Sequence, residues 1–338
     1  MDKRVTLKQI AAKAKVHLST VSLALRNDSR LPQETRLRLQ ALARKMGYTP
    51  DAAMSALAAY RSAIRPHDVQ SGLAYLTDVD IKSTSWATMV YTYAKKQAAK
   101  MGYNLIQFNL DQGMTLERLQ SIWWNTGLRG VLIGPFRKSG SVLGGSWDRW
   151  PTVAYGHSIA VPSFNRAEFN HFQNMLNHLE VLHSKGYHRI GLCMSQELSN
   201  RTQGSLHAAY LLDQSRHPES EPIPLFGDAS GDFRALEKWV TSQRLDAIIS
   251  YANQYHALRK HGWKIPKDIG FSLLSTWGEH VKPSEQQFAG MDTKAEILAE
   301  TAISFLISLI HEQAYGLLNP PRSYMISGEF QDGATLRK

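Results

Sequence analysis

Two short apolar stripes at helical spacing, separated by a tight turn, open this chain and limit what its first fifty residues can become. Thr6 with Gln9 three positions on forms a capping box, and Leu7, Ile10, Ala11 and Ala14 then recur on one helix face. Val16, Val21 and Leu25 give the second stripe. Two helices this short cannot bury both stripes by themselves. The amphipathic run over 33–46 supplies a third wall through Leu39, Leu42 and Met46, and Gly47 stops it. The spacing therefore predicts a three-helix module built on a helix-turn-helix.

Charge is concentrated on this module. Of the net +10 of the 338-residue chain, the first 65 residues hold 13 Lys and Arg against 4 Asp and Glu, a surplus of +9, which leaves +1 for everything after them. A basic patch of that density attracts a polyanion by neutralising phosphates and releasing counterions. A disordered basic tail would share the charge but not the capped helices and common apolar core.

The order of residues resembles the LacI/GalR family of bacterial transcription regulators. Val5-Thr6-Leu7, Ile10-Ala11, Val16, Ser19-Thr20-Val21-Ser22, Thr35-Arg36, Gly47-Tyr48, Pro50 and Leu57 stand where that family's pattern puts them, and residues 185–190 and 265–270 continue the likeness more loosely. The resemblance implies an α/β protein. Its N-terminal three-helix module (1–60, with a hinge helix at 51–60) is followed by a linker at 61–70 and a two-lobed, periplasmic-binding-protein-like domain of parallel sheets over 71–338, with crossovers near 163, 291 and 320. It further implies a homodimer that represses transcription from a pseudo-palindromic DNA operator under a small-molecule effector.

In a helix-turn-helix the start of the second helix enters the major groove, which places Leu18, Ser19 and Leu23 at base edges. The family often has arginine where Leu23 stands; without it, apolar contact with thymine methyls replaces a bidentate grip on guanine. Thr6, Ser22, Arg26, Arg30 and Thr35 lie where hydroxyls and guanidinium groups hold phosphates, and Thr20 and Tyr48 complete the DNA-facing set. His17 occupies the N-cap of the second helix, where the family usually has serine, and is expected either to cap or to touch phosphate. Lys15 replaces the usual turn glycine, so a residue with a Cβ must adopt a positive φ, at a cost on the order of 1 kcal/mol. By resemblance, Leu57 wedges into the minor groove from a hinge helix that pairs with its symmetry mate. Asp51 puts a negative charge where asparagine is common.

Beyond a polar stretch at 61–70, short apolar runs at 72–76, 104–108, 130–134, 152–155, 189–194, 246–250 and 269–274 alternate with helical patterns at 86–101, 168–184 and 202–214. That alternation predicts parallel α/β architecture, and about 270 residues call for two lobes. A ligand then sits between lobes at the carboxyl ends of strands. Alignment to the family puts Arg201 at an effector clamp, Asn253 near a second contact and Trp277 where an aspartate is frequent; Trp86 and Asp80 follow the first strand on the opposite lobe. An aromatic face beside polar groups fits a sugar or sugar derivative.

Other classes find little support in the sequence. Cys193 is the single cysteine, set in a strand pattern, so intrachain disulfides are excluded and a buried thiol is expected. The longest apolar block, at 303–310, is too short to span a bilayer, no leader pattern opens the chain, and a cytoplasmic location is expected. It belongs to a helix with Ile297, Leu298, Ala302, Phe305, Leu306, Leu309 and Ile310 on one side. His171, His178, His183 and His188 lack the spacing of a helical zinc site, so neither metal nor cofactor is expected. A carboxylate pair or activated nucleophile for catalysis is likewise not found. The alternatives to an effector-controlled regulator are an architectural DNA binder without effector and a sugar-binding protein without gene control.

Overall fold

The computed structural model describes residues 5–25, 31–48, 71–83, 85–110, 113–217, 221–227, 232–276 and 288–338. The chain divides into two compact units, Met1–Val69 and Gln70–Lys338.

The first unit holds helices α1 (Leu7–Ala14), α2 (Leu18–Leu25) and α3 (Gln33–Lys45). Ile10, Ala11, Val21 and Ala43 pack into one small core, with Leu7, Val16, Leu25, Leu42, Met46 and Tyr48 around it. Gln40 on α3 donates to the Ala24 carbonyl at 2.9 Å, which ties the end of α2 to the third helix.

The second unit begins with strand β1 (Ser71–Thr77), helix α4 (Ser85–Lys100), β2 (Tyr103–Asn109), α5 (Leu116–Asn125), β3 (Val131–Ile133), β4 (Ser141–Val142), β5 (Thr152–Tyr155), β6 (Ile159–Val161) and β7 (Asn165–Phe169). It continues through α6 (His171–Ser184), β8 (Ile190–Met194), α7 (Gln196–Arg201), α8 (Ser205–Arg216), β9 (Phe226–Gly227), α9 (Phe233–Ser242), β10 (Ala247–Ser250), α10 (Ala252–Lys260) and β11 (Gly270–Leu273). The last elements are β12 (Gly290–Asp292), α11 (Ala295–Glu312), β13 (Ser323–Ile326) and β14 (Glu329–Gln331).

Two six-stranded sheets result, in the orders β13-β7-β5-β3-β1-β2 and β14-β12-β11-β10-β8-β9. The first is parallel throughout, and the second is parallel except where β14 runs against β12. Parallel sheets need cover on both faces, and both receive it. Val90, Ala94 and Ala98 of α4 join Leu298, Ala302 and Leu306 of α11 on one face of the first sheet, while Leu119, Trp123, Trp147 and Trp150 fill the other. On the second sheet, Met175, Leu179 and Tyr210 oppose Leu236, Trp239 and Tyr255 across the strands. Cys193 is fully buried in β8.

The chain passes between the sheets three times: from β7 into α6, from β12 into α11, and from β13 into β14. The first and last passages lie a few residues beyond the points read from the sequence near 163 and 320, because β7 and β13 finish pairing in the first sheet before the chain leaves it. The helix expected over 168–184 starts at His171; Glu168 and Phe169 belong to β7. In α11, Ile297 departs from the expected buried side and is 44% exposed, while its neighbour Leu298 points into the core. Among the described residues, no helix is long and apolar enough to cross a membrane.

Candidate functional site

Two sites need description, one on each unit. On the first, the turn between α1 and α2 forms as its residues require. The Thr6 N–H donates to Gln9 Oε1 at 2.8 Å and the Gln9 N–H returns to Thr6 Oγ1 at 3.4 Å, which closes the capping box. Lys15 ends α1 in the left-handed region at φ 54°, and the Val16 N–H then reaches back to the Ala11 carbonyl at 3.1 Å. His17 acts as the cap of α2: its Nδ1 accepts from the Ser19 N–H at 3.3 Å and lies 2.8 Å from the Ser19 hydroxyl. An imidazole nitrogen thus does what a serine oxygen does elsewhere at helix starts.

Helix α2 has two unlike faces. Val21 and Ala24 are fully buried against α1 and α3, whereas Leu18 is 45% exposed and Ser19 is exposed beside it. Leu23 and Thr20 are half-buried. An apolar side chain left in water at the start of a capped helix has no role in this core. Thr35 is half-buried at the start of α3, and Tyr48 packs against the core. Arg26, Arg30, Leu57 and the whole of 51–60 fall outside the described residues, and of Ser22 only the backbone is described.

In the second unit, a cavity of about 410 Å³ lies between the sheets, within the range of small-molecule sites. Its walls come from both lobes: Trp86, Tyr155, His157, Glu168, Phe169 and Leu298 from one, and His171, Asn174, Met175, His178, Leu198, Arg201, Leu206, Leu274, Met291 and Thr293 from the other. Tyr155 and Leu274 sit at the carboxyl ends of β5 and β11, where open α/β sheets present their ligands. Trp86 and Phe169 stand 5.8 Å apart as a tilted aromatic pair.

Most polar groups of the cavity are already engaged. His157 Nε2 meets Glu168 Oε2 at 2.5 Å, and Arg166 braces the same wall by donating to the carbonyls of Gly156 and Ile159. Burial alone pushes the Glu168 carboxyl upward, but His157, the Ser323 hydroxyl and Arg166 together hold it below the ordinary glutamate range. His171 is driven down to about 4, chiefly by burial, with Glu168 opposing and His157 assisting. His178, fully buried and 2.6 Å from the Ser272 hydroxyl, is driven by burial to about 3. Both imidazoles are therefore neutral at neutral pH.

Two cavity groups are left over. The Gly328 N–H donates to Asn174 Oδ1 at 2.8 Å and so fixes the amide orientation, while Asn174 Nδ2 and Thr293 Oγ1 are buried with no hydrogen-bond partner among the described residues. A side chain at 328 would press within 2.6 Å of the Asp292 carbonyl, so glycine is required there. Buried polar groups without partners cost roughly 1–3 kcal/mol each, which a bound molecule relieves.

Arg201, placed by resemblance at an effector clamp, lines the cavity and is also tied across the cleft. Its Nε lies 2.9 Å from Glu197 Oε1, and Nη2 donates to the Arg137 carbonyl of the opposite lobe. Glu197 accepts from the Ser139 N–H at 2.8 Å and from its hydroxyl at 2.9 Å. Helix α7 is in this way fastened to the 137–139 loop. Trp86 also lines the cavity. Asp80 does not: it is exposed and accepts from the Lys82 N–H at 3.0 Å. Asn253 is exposed in the first turn of α10 and likewise lies outside the lining. Trp277 falls outside the described residues. The sequence reading missed Tyr155, His157, Glu168, Asn174 and Thr293, although Tyr155 ends a strand that it did identify.

The chain thus joins a three-helix, helix-turn-helix head to two parallel-sheet lobes around a cavity. Residues 6–51 match the family model described as bacterial regulatory proteins, lacI family. The whole chain has the fold of such regulators. It is similar to a transcriptional regulator CelR–cellobiose complex at 15% identity, with 98% of this chain and 100% of that chain covered and a TM-score of 0.57. It is similar to a lac repressor dimer bound to operator and the anti-inducer ONPF at 17% identity, covering 98% and 99%, TM-score 0.57. A periplasmic binding protein/LacI transcriptional regulator from Alkaliphilus metalliredigens, complexed with D-xylulofuranose, is 18% identical over 79% of this chain and 99% of its own, TM-score 0.57. No curated protein sequence matches the chain.

Proposed function

We propose that this protein is a sequence-specific DNA-binding transcription regulator, acting as a repressor and as a homodimer on a pseudo-palindromic operator, and that a small molecule held between its lobes controls it. One observation carries the reading: a single chain joins a lacI-family head, rich in basic residues, to a cavity walled by both lobes and containing unpaired buried polar groups. Leu18, Ser19 and Leu23 are assigned to base edges and Thr6, Thr20, Ser22, Arg26, Arg30, Thr35 and Tyr48 to the phosphate backbone, with Leu57 as the minor-groove wedge. His17 organises the recognition helix from its cap.

The effector is a sugar or sugar derivative. Trp86 and Phe169 offer faces for the C–H side of a sugar ring, and Asn174 and Thr293 offer hydrogen bonds to its hydroxyls. Neighbouring structures carry cellobiose and D-xylulofuranose. No catalytic step is assigned to the site.

Calorimetric titration of the full chain with mono- and disaccharides, beside purines, tests this reading. Heat from a sugar together with a change in operator affinity measured by fluorescence anisotropy supports it; heat from purines alone overturns the sugar assignment. Asn174→Asp keeps the acceptor for Gly328 and removes the unpaired donor. Its effector affinity is expected to fall about tenfold, near 1.4 kcal/mol.

A further inference from the structure

The sequence reading set metal aside because histidines 171, 178, 183 and 188 do not share a helical turn. The fold supplies different partners for one of them. Asp213 and His217 are four residues apart at the end of α8, and α6 brings His183 against them. The ligand atoms these three side chains offer all lie within 4.8 Å of one another.

We propose that His183, Asp213 and His217 form a binding site for a divalent transition ion, with Zn²⁺ as the reference case. Imidazole and carboxylate are its ordinary donors, and no thiolate is needed. His183 Nε2 lies 3.1 Å from Asp213 Oδ2. Two atoms bound to one tetrahedral zinc at roughly 2.0–2.2 Å stand about 3.3–3.6 Å apart, so an ion fits between them once the pair opens by a few tenths of an ångström.

The surroundings orient the donors. His183 Nδ1 pairs with the Tyr187 carbonyl at 3.0 Å, which places its proton there and leaves Nε2 to face the carboxylate. This backbone contact on the far nitrogen is the kind that fixes metal-bound histidines. His217 Nδ1 lies 2.9 Å from the Asp213 carbonyl and 3.9 Å from Asp213 Oδ1, and its ring packs on His183 with centroids 4.3 Å apart. His183 and Asp213 are largely shielded, at 21% and 14% side-chain exposure, while His217 is 41% exposed and gives an ion access from solvent. A small recess bordered by His188 and Glu221 adjoins the three. Binding there would clamp the carboxyl ends of α6 and α8, two helices that cover the same face of the second sheet.

The competing account is a bare imidazolium–carboxylate pair between His183 and Asp213, and the test separates the two. Tag-free full chain is stripped with chelator and titrated calorimetrically with ZnCl₂; Co²⁺ is added separately and read by its visible absorption. One ion per chain, with affinity reduced about 100-fold or more in His217→Ala and in Asp213→Asn, is the expected result. His217 is exposed enough that its replacement leaves the fold intact should Asp213→Asn misfold. No saturable uptake at millimolar ion, or uptake unchanged in His217→Ala, overturns the proposal.

Discussion

The head and the sensing unit solve the problem of burial on different scales. In the head, six fully or nearly fully buried side chains among the described residues, Ile10, Ala11, Val21, Ala24, Leu39 and Ala43, anchor three short helices. In the sensing unit, two sheets are each covered on both faces by cores of fourteen or more buried residues. A small core tolerates little loss, and its stability rests on turn chemistry and caps as well as apolar area. A large one can hold unpaired polar groups and neutral histidines around a cavity and still fold. The lesson is that outward-pointing side chains can be presented from a minimal core, whereas a cavity needs a core large enough to support it.

Four experiments break or sharpen this contrast. Removing residues 1–60 is expected to abolish operator binding, a loss of three orders of magnitude or more on the scale separating specific from non-specific binding, with effector heats unchanged. Undiminished gel-shift retention would mean that the basic end is not the DNA-binding part. Ile10→Ala is expected to destabilise the head by about 2–5 kcal/mol, enough to unfold a domain of this size, while the calorimetric transition of the sensing unit stays in place.

Acid provides the opposite handle. His171 and His178 are held at about 4 and about 3, below the ordinary histidine value of 6.5, so the unfolded chain binds more protons than the folded one between those limits. Their favourable contribution is complete above pH 6.5 and is lost as pH falls through 4 toward 3, on the order of a few kcal/mol per group. Thermal midpoints of the sensing unit recorded from pH 7 to 4 should fall, and His178→Gln should flatten the slope. A slope unchanged in that variant would remove His178 from the account. The smallest effect is expected from Lys15→Gly. Relief of the positive φ is worth on the order of 1 kcal/mol, partly offset by the greater freedom of glycine in the unfolded chain, and should raise the melting temperature of the head slightly.

Much of the fold was legible from local pattern. Thr6 and Gln9 announced their capping box, Lys15 its positive φ, and the hydrophobic runs of β1, β2, β5, β8 and β10 their strands. Strand β7 was not, because Asn165-Arg166-Ala167-Glu168-Phe169 alternates polar groups that read as helix surface yet are buried by contacts from distant segments. Edge strands β13 and β14 are mostly exposed and only four and three residues long, too short to show a strand period. At the cavity, Trp86 and Arg201 were found by position relative to strands and by resemblance. His157, Glu168, Asn174 and Thr293 were not, since their meaning comes from partners that only the fold supplies or withholds: His157 and Glu168 pair across two different strand ends, Asn174 is held by Gly328, 154 residues on, and Thr293 meets none among the described residues. Asp80 showed the reverse failure: a polar residue after a strand end, occupied instead in shaping its own turn.

The threefold passage of the chain between the sheets has a bearing on biosynthesis. Helix α11, which closes one face of the first sheet, comes from 295–312, and that sheet's edge strand β13 is later still. Neither lobe has all its parts until β13 and β14, over 323–331, have been made. The three-helix head, by contrast, has its last core helix by residue 45 and can fold as soon as it leaves the exit tunnel. Each nascent polypeptide thus carries a finished three-helix head long before the cavity between the two lobes exists.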